Sequence, residues 1–287
     1  MNIRDCFQAL LALVLISAIP RHAVAAESYD NCAGFITSLP ATITTQGTWC
    51  LSHPLGTAIT SGNAITINTN NVTIDCNGFR LTGQSAGAAT QTVGIFATGR
   101  SNLIVRHCDI RGFQFGLSFA GAGGGHVVED NRFASNTNIG MYVNGSSVVR
   151  RNQVYNTGGS SIADSAFAID VSQSVDVLDN TISGVNARGG SNGDAAGIRS
   201  STDVNSSISG NRVRGVQKTG TGVGYGIQNL GSTRVILRDN DLTGVVGAGG
   251  IGIYCSNGNG SARGNVTHSF ATAISNCSDA GGNFHAP

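Results

Sequence analysis

The chain has very little lysine: Lys218 is the only one among 287 residues. Charged side chains make up 11%, far below the quarter or so of an ordinary soluble domain, and they nearly cancel to +1. An electrostatic nucleic-acid binder needs a basic face, and so few basic residues in such balance exclude one. Low charge of either sign also excludes a disordered acidic or basic tail protein. There are 4 prolines, one tryptophan and 6% aromatic residues, against 41 glycines. Those glycines do not fall on every third position, so collagen is excluded. Gly, Asn, Ser and Thr dominate where a helical bundle would have Ala, Glu, Leu and Lys.

One apolar run stands apart from the rest, Phe7 to Ile19, between an Arg-bearing start and Pro20. It is too short to span a bilayer comfortably. Ala23-Val24-Ala25 then offers small residues where a signal peptidase reads them, so residues 1–25 are expected to be a signal peptide. Cleavage leaves fifteen basic and fifteen acidic side chains and six cysteines. No further stretch approaches membrane-spanning length, so no membrane association is expected after cleavage. The expected location is the periplasm or the extracellular space, where six cysteines suggest disulfides and not thiolate metal ligands.

A short pattern recurs along most of the chain. Gly or Ala precedes an apolar residue, and some ten to fifteen residues later an apolar residue, two others, Asn and another apolar residue follow. Instances are GIFATGRSNLIVRHCDI, GLSFAGAGGGHVVEDNRF, GMYVNGSSVVRRNQV, AIDVSQSVDVLDNTI and GIQNLGSTRVILRDNDL. The recurring asparagines are Asn131, Asn152, Asn180, Asn211, Asn240 and Asn265, spaced by 21, 28, 31, 29 and 25 residues. Cys108 holds the equivalent place one repeat earlier, and Asn77 is expected to hold it before that. A constant motif at irregular spacing means one fixed corner and one variable loop.

Within a repeat the apolar positions alternate, as in Val93/Ile95/Ala97, Phe115/Leu117/Phe119, Ile139/Met141/Val143 and Phe167/Ile169/Val171. Period two marks half-buried strands. A unit of two or three short strands cannot bury its own apolar face, whereas stacked units can. The chain is therefore expected to be all-β, a parallel solenoid of about eight or nine coils and on the order of 40 Å long. Each asparagine is expected to take the left-handed conformation at its turn and to bond the next in the stack. An antiparallel sandwich or propeller is the competing fold. Its hairpin signals, Asn144-Gly145 and Asn259-Gly260, recur here as corners of the repeat.

Residues 26–60 are expected to form an N-terminal cap and residues 61–287 the repeat domain. Cys32 and Cys50 enclose a polar segment bearing Trp49, and would close that cap. Cys76 and Cys108 lie one coil apart, as do Cys255 and Cys277. The expected pairs are Cys32–Cys50, Cys76–Cys108 and Cys255–Cys277. A Cys/His metal site using His107 is the alternative; the other histidines show no metal-ligand spacing, and neither a metal nor a cofactor is expected.

The segment NVTIDCNGFRLTG followed by GIFATGRSNLIVRHCDIRGF resembles the right-handed parallel β-helix of the pectin-lyase-like superfamily. It is similar in particular to the short-repeat proteins of the NosD, carbohydrate-binding and sugar-hydrolase type. The resemblance covers about residues 60 to 275. It implies a right-handed β-helix and leaves function open, because this scaffold carries many chemistries.

The residue after each first-strand Ile should point outward, giving a vertical row of Phe96, Ser118, Tyr142, Asp170, Arg199, Gln228 and Tyr254. Aromatic, amide and charged groups in one row suit a sugar chain, which presents apolar faces and hydroxyls together. The longest loops, from Val154 to Phe167, Ile182 to Ala196 and Val213 to Tyr225, would wall this row and carry Asp164, Asp194 and Lys218. If the protein is an enzyme, β-elimination on an acidic glycan would use Arg199 to neutralise a uronate, Lys218 as base and Tyr142 as proton donor. Hydrolysis would instead draw on two of Asp164, Asp170 and Asp194. Asp170, Arg199 and Lys218 are the catalytic candidates, with Tyr142, Asp164, Asp194, Gln228 and Tyr254 lining the substrate. The Gly-His-Gly of polygalacturonases and the Asp-Pro-His of alginate epimerases are absent. The plainer reading is a surface Asp170–Arg199 ion pair, a solubilising Lys218 and half-exposed tyrosines. A second strip (Arg106, Glu129, Arg150, Arg238, Arg263) reads as coil-to-coil charge pairing.

Three functions follow: an exported polysaccharide-active lyase or hydrolase, a non-catalytic carbohydrate-binding or structural solenoid, and a NosD-like periplasmic accessory protein. Low counts of His and free Cys disfavour the last. The balance tips to interaction with a polysaccharide or cell-surface glycan.

Overall fold

The computed structural model describes residues 29–202, 205–231 and 234–286. The signal-peptide reading lies outside them. The described chain is all-β, with two short 3-10 segments, Gln84–Ala86 and Ser256–Gly258, and no α-helix. None of its helices is long and apolar enough to cross a membrane. It winds as a right-handed parallel β-helix of about nine turns. Each full turn gives one strand to each of three sheets: sheet 1 and sheet 3 hold ten strands each, and sheet 2 holds eleven. A representative turn runs Ile139–Asn144 in sheet 1, Val148–Arg150 in sheet 2 and Gln153–Gly158 in sheet 3. Its successor runs Ala166–Ser172, Asp176–Leu178 and Thr181–Asn186. These two turns pair in parallel and in register in all three sheets, and the later pairing of Arg212–Gln217 with Asp241–Gly244 carries a register shift between Arg214 and Val216.

Stacking converts the repeat into three inner columns. Ile95, Leu117, Met141, Ile169, Ile198, Ile227 and Ile253 line sheet 1. Val105, Val128, Val149, Val177, Ile208 and Leu237 line sheet 2, and Ile110, Phe133, Val154, Ile182, Val213 and Leu242 line sheet 3. All are buried and belong to one continuous core. No single turn could enclose such a core, so burial is a property of the stack.

The asparagines form a ladder at the corner between sheets 2 and 3. From Asn152 to Asn265, each side-chain oxygen accepts both the backbone N–H and the Nδ2 of the asparagine one turn earlier; for the pair Asn152 and Asn180 these lie at 2.9 and 3.0 Å. Cys108 begins the column through its backbone N–H to Asn131, and Asn283 ends it. Two expectations are corrected here. The left-handed residue is the one before the asparagine: His107, Asp130, Arg151, Asp179 and Asp239 have φ of 53° to 56°. That turn aims the asparagine inward, where its amide satisfies backbone that no water reaches. Asn77 is not a rung. It turns at φ 49° and donates Nδ2 to the Leu51 carbonyl, while the register of Arg80 with Asp109 puts Phe79 in the place of Cys108.

Disulfides join Cys32 to Cys50, Cys76 to Cys108 and Cys255 to Cys277. Strands at Gly34–Ile36, Ala41–Ile43, Gly47–Leu51 and Leu55–Gly56 already pair within the three sheets. Strand pairing therefore starts before residue 61, and the first disulfide ties Cys32, just ahead of the first strand, to Cys50 within Gly47–Leu51.

Candidate functional site: the outer face of sheet 1

The glycine opening each repeat decides what this face looks like. A Cβ on Gly116 would stand 2.5 Å from the Gly140 carbonyl oxygen, and one on Gly140 would stand 2.3 Å from that of Ala168. Only Gly or Ala occupies this column, because the neighbouring turns approach so closely there. The register runs from Phe115↔Ile139 straight to Leu117↔Met141, without a partner for the glycine between. The alternation slips by one at that point, so the residue before the glycine faces out. Phe115, Ile139 and Phe167 therefore lie outside the main core, contrary to the period-two reading, although Ile139 and Phe167 are buried. With Ala196, Tyr225 and Ile251 they form a second apolar cluster separate from the main core.

Beside this apolar column runs the expected row. Phe96, Ser118, Tyr142, Asp170, Arg199, Gln228 and Tyr254 are register partners in sequence, one turn apart. Tyr142 and Tyr254 pack against the apolar cluster, as does the loop residue Val223. Tyr225 and Tyr254 have ring centroids 5.6 Å apart. The Tyr142 hydroxyl lies 3.1 Å from the Ser172 hydroxyl.

At the centre Arg199 grips Asp170 with two nitrogens, Nε at 3.0 Å and an Nη at 2.5 Å. Its guanidinium carbon sits 3.7 Å from the Phe167 ring centroid. Asp170 is 2% exposed. Burial pushes its carboxyl above the ordinary value, against the two Arg199 bonds that favour the ionised form. This is a planar, stacked, bidentate pair in which each group satisfies the other.

The remaining candidates scatter. Asp164 pairs with Arg188 within the loops. Asp194 accepts the Val223 N–H at 2.7 Å. Burial, and next the Asp194 charge, raise the Tyr225 hydroxyl pKa. Lys218 donates to the Gly220 carbonyl at 2.6 Å in its own loop. Among the described residues no hydrogen bond joins Lys218 to the Asp170–Arg199 pair. Much of what reads as loop in the sequence is strand: Gln153–Gly158, Thr181–Asn186 and Arg212–Gln217 lengthen sheet 3, with Val185 and Val216 buried beneath. The site residues that sequence reasoning missed are Phe167 and Tyr225, and the signal for them was the glycine or alanine that follows each. Among the described residues no group of three or more His, Cys, Asp or Glu is placed to hold a metal.

No protein-family model matches the chain, and no curated protein matches it in sequence. Solved structures do match in fold. The Azotobacter vinelandii mannuronan C-5 epimerase AlgE6 A-module is similar at TM-score 0.53 and 11% identity, over 89% of this chain and 91% of that one. A thermostable GH87 alpha-1,3-glucanase catalytic unit from Streptomyces thermodiastaticus is similar at TM-score 0.42 and 14% identity, over 87% of this chain and 61% of that one. These likenesses concern the fold.

Proposed function

We propose that the protein is exported and binds a polysaccharide lengthwise on the outer face of sheet 1. The observation that carries this reading is the row from Tyr142 to Tyr254 in unbroken register beside an apolar column. Stacked turns repeat about every 4.8 Å, close to the length of one sugar residue. A chain lying along the rod would meet a ring or a polar group at each step. Three disulfides favour an oxidising compartment. The fold neighbour named for mannuronan acts on a polysaccharide, which agrees with this reading.

Binding fits the geometry better than turnover. The base and the cation needed for β-elimination are engaged elsewhere: Arg199 with Asp170, Lys218 with Gly220. The test is a panel of neutral and uronic-acid polysaccharides, followed by gel retardation, unsaturated-product absorbance and reducing ends. Retention by at least one glycan, weakened tenfold or more by Tyr142→Ala with Tyr254→Ala and without product, is expected. Retention that the double variant leaves unchanged would refute the site, and product release would restore the enzyme reading.

A further inference from the structure

A concavity lies on another face, outside the asparagine ladder where sheets 2 and 3 meet. It is a groove of about 530 Å³ lined by residues of four successive turns, from Gly78 through His107, Asp109, Asp130 and Arg132 to Arg151 and Gln153. Four turns span about 14 Å along the rod. Volume and length together suit a ligand the size of a disaccharide.

The groove is lined by two carboxylates, Asp109 and Asp130, and two arginines, Arg132 and Arg151, but the pairing of these with their neighbours is uneven. Four carboxylates stand in it or beside it, and each is taken. Asp75 is held by Arg106 at 2.7 Å and by His107 at 3.2 Å. Asp109 is gripped by both ends of Arg111, at 2.6 and 2.5 Å. Glu129 accepts from Arg150 and Arg151. Asp130 gives both oxygens to Arg151, at 2.9 and 2.7 Å, and that pairing holds its carboxyl below the ordinary value. Against these four stand six arginines, counting Arg80, which lies 3.6 Å from Asp109, and Arg132. Arg132 has no carboxylate partner among the described residues. Its guanidinium lies over the Tyr155 ring, 5.4 Å from the centroid, and it belongs to the third of the four turns. The Gln153 amide comes from the next turn, and the His107 ring from the one before.

We propose that this groove is a binding site for an acidic saccharide, with the carboxylate of a uronic-acid residue held by Arg132. A planar guanidinium free of an internal acid takes a carboxylate in the two-point geometry that the neighbouring pairs already use. The Tyr155 ring holds that guanidinium from beneath, and Gln153 and His107 offer polar atoms to the hydroxyls of the same sugar. The site is separate from the outer face of sheet 1, where Arg199 is closed by Asp170 and offers no free cation.

The test is isothermal titration of the full chain with a uronic-acid trisaccharide and with its carboxyl-reduced counterpart. The acidic sugar is expected to bind, the reduced one at least tenfold more weakly. Arg132→Gln is expected to weaken the acidic sugar tenfold or more with an unchanged melting temperature, since this side chain is exposed. Binding should weaken with added salt. Tyr142→Ala with Tyr254→Ala, on the other face, should leave it intact. Equal affinity for the two sugars, or for the wild type and Arg132→Gln, would overturn the proposal. So would a loss that follows the tyrosine pair, which would place the acidic sugar on sheet 1 and leave that reading standing.

Discussion

Replacing Asn180 by Ala removes a middle rung of the ladder and tests whether the corner holds the rod together. The Asn180 side chain accepts from the Asn152 backbone N–H at 2.9 Å and from its Nδ2 at 3.0 Å. It donates to the Val149 carbonyl and to Asn211 Oδ1, each at 3.0 Å. Asn152 retains its own bonds to Val128 and Arg150, and Asn211 Oδ1 still receives the backbone N–H of residue 180. One group is therefore orphaned outright, the Asn152 N–H, while the Val149 carbonyl loses its side-chain donor but keeps its place in the sheet 2 ladder. Asn152 and Asn180 are each 1% exposed, so water does not replace the lost partner. At about 1–3 kcal/mol for the buried unsatisfied N–H and about 1 kcal/mol for the lost bond to the Val149 carbonyl, the cost is about 2–4 kcal/mol. Asn283 makes the same bonds at the end of the ladder but is only part-buried, so Asn283→Ala should cost about 1 kcal/mol. Urea unfolding followed by circular dichroism gives both numbers, provided the slope with denaturant is unchanged. If the two variants lose the same stability, or if Asn180→Ala loses less than about 1 kcal/mol, the ladder is not what stabilises the corner.

Two other regions give predictions of different kinds. His126 is 2% exposed, receives the Leu103 N–H on Nδ1 at 3.3 Å and has its pKa lowered by burial to about 4. The unfolded chain takes up this proton near pH 6.5, so stability is intact above that pH and should fall by about 3 kcal/mol as pH drops to 4. Urea midpoints measured across this range should decline in the wild type and stay nearly level in His126→Ser, which copies Ser147 one turn on; parallel declines would remove His126 as the cause. Arg199→Met leaves Asp170 buried without its cation and should cost about 3–5 kcal/mol at pH 7. The loss should shrink in acid, where Asp170 is neutral, and in the double variant Asp170→Leu with Arg199→Met. A pH-independent loss would show that Arg199 acts by packing on Phe167 alone.

The local rules of the chain reached far. The spacing of Asn131, Asn152, Asn180 and Asn211 with a constant motif required in-register turns, because no single repeat buries its own apolar face. Once turns are stacked, the row Tyr142–Asp170–Arg199–Gln228–Tyr254 and the coil-to-coil cystines follow from counting. Counting failed where backbone geometry breaks the period. The left-handed residue is Asp130 or Asp179 and not the asparagine after it. The glycine column shifts the phase, so that Phe115, Ile139 and Phe167 leave the main core for a second apolar cluster. Neither is visible as alternation, since both come from the approach of one turn to the next.

The sequence by itself determined the stack, because parallel pairing and burial depend on residue type at a fixed place in the repeat. It also determined which residues share a column. Only the tertiary structure decided which charges are free. Asp170 and Arg199 close on one another, and Asp109 and Asp130 are taken by Arg111 and Arg151, which leaves Arg132 over. That outcome depends on distances of a few ångströms between side chains some 20 to 30 residues apart, and such distances exist only after the turns have stacked.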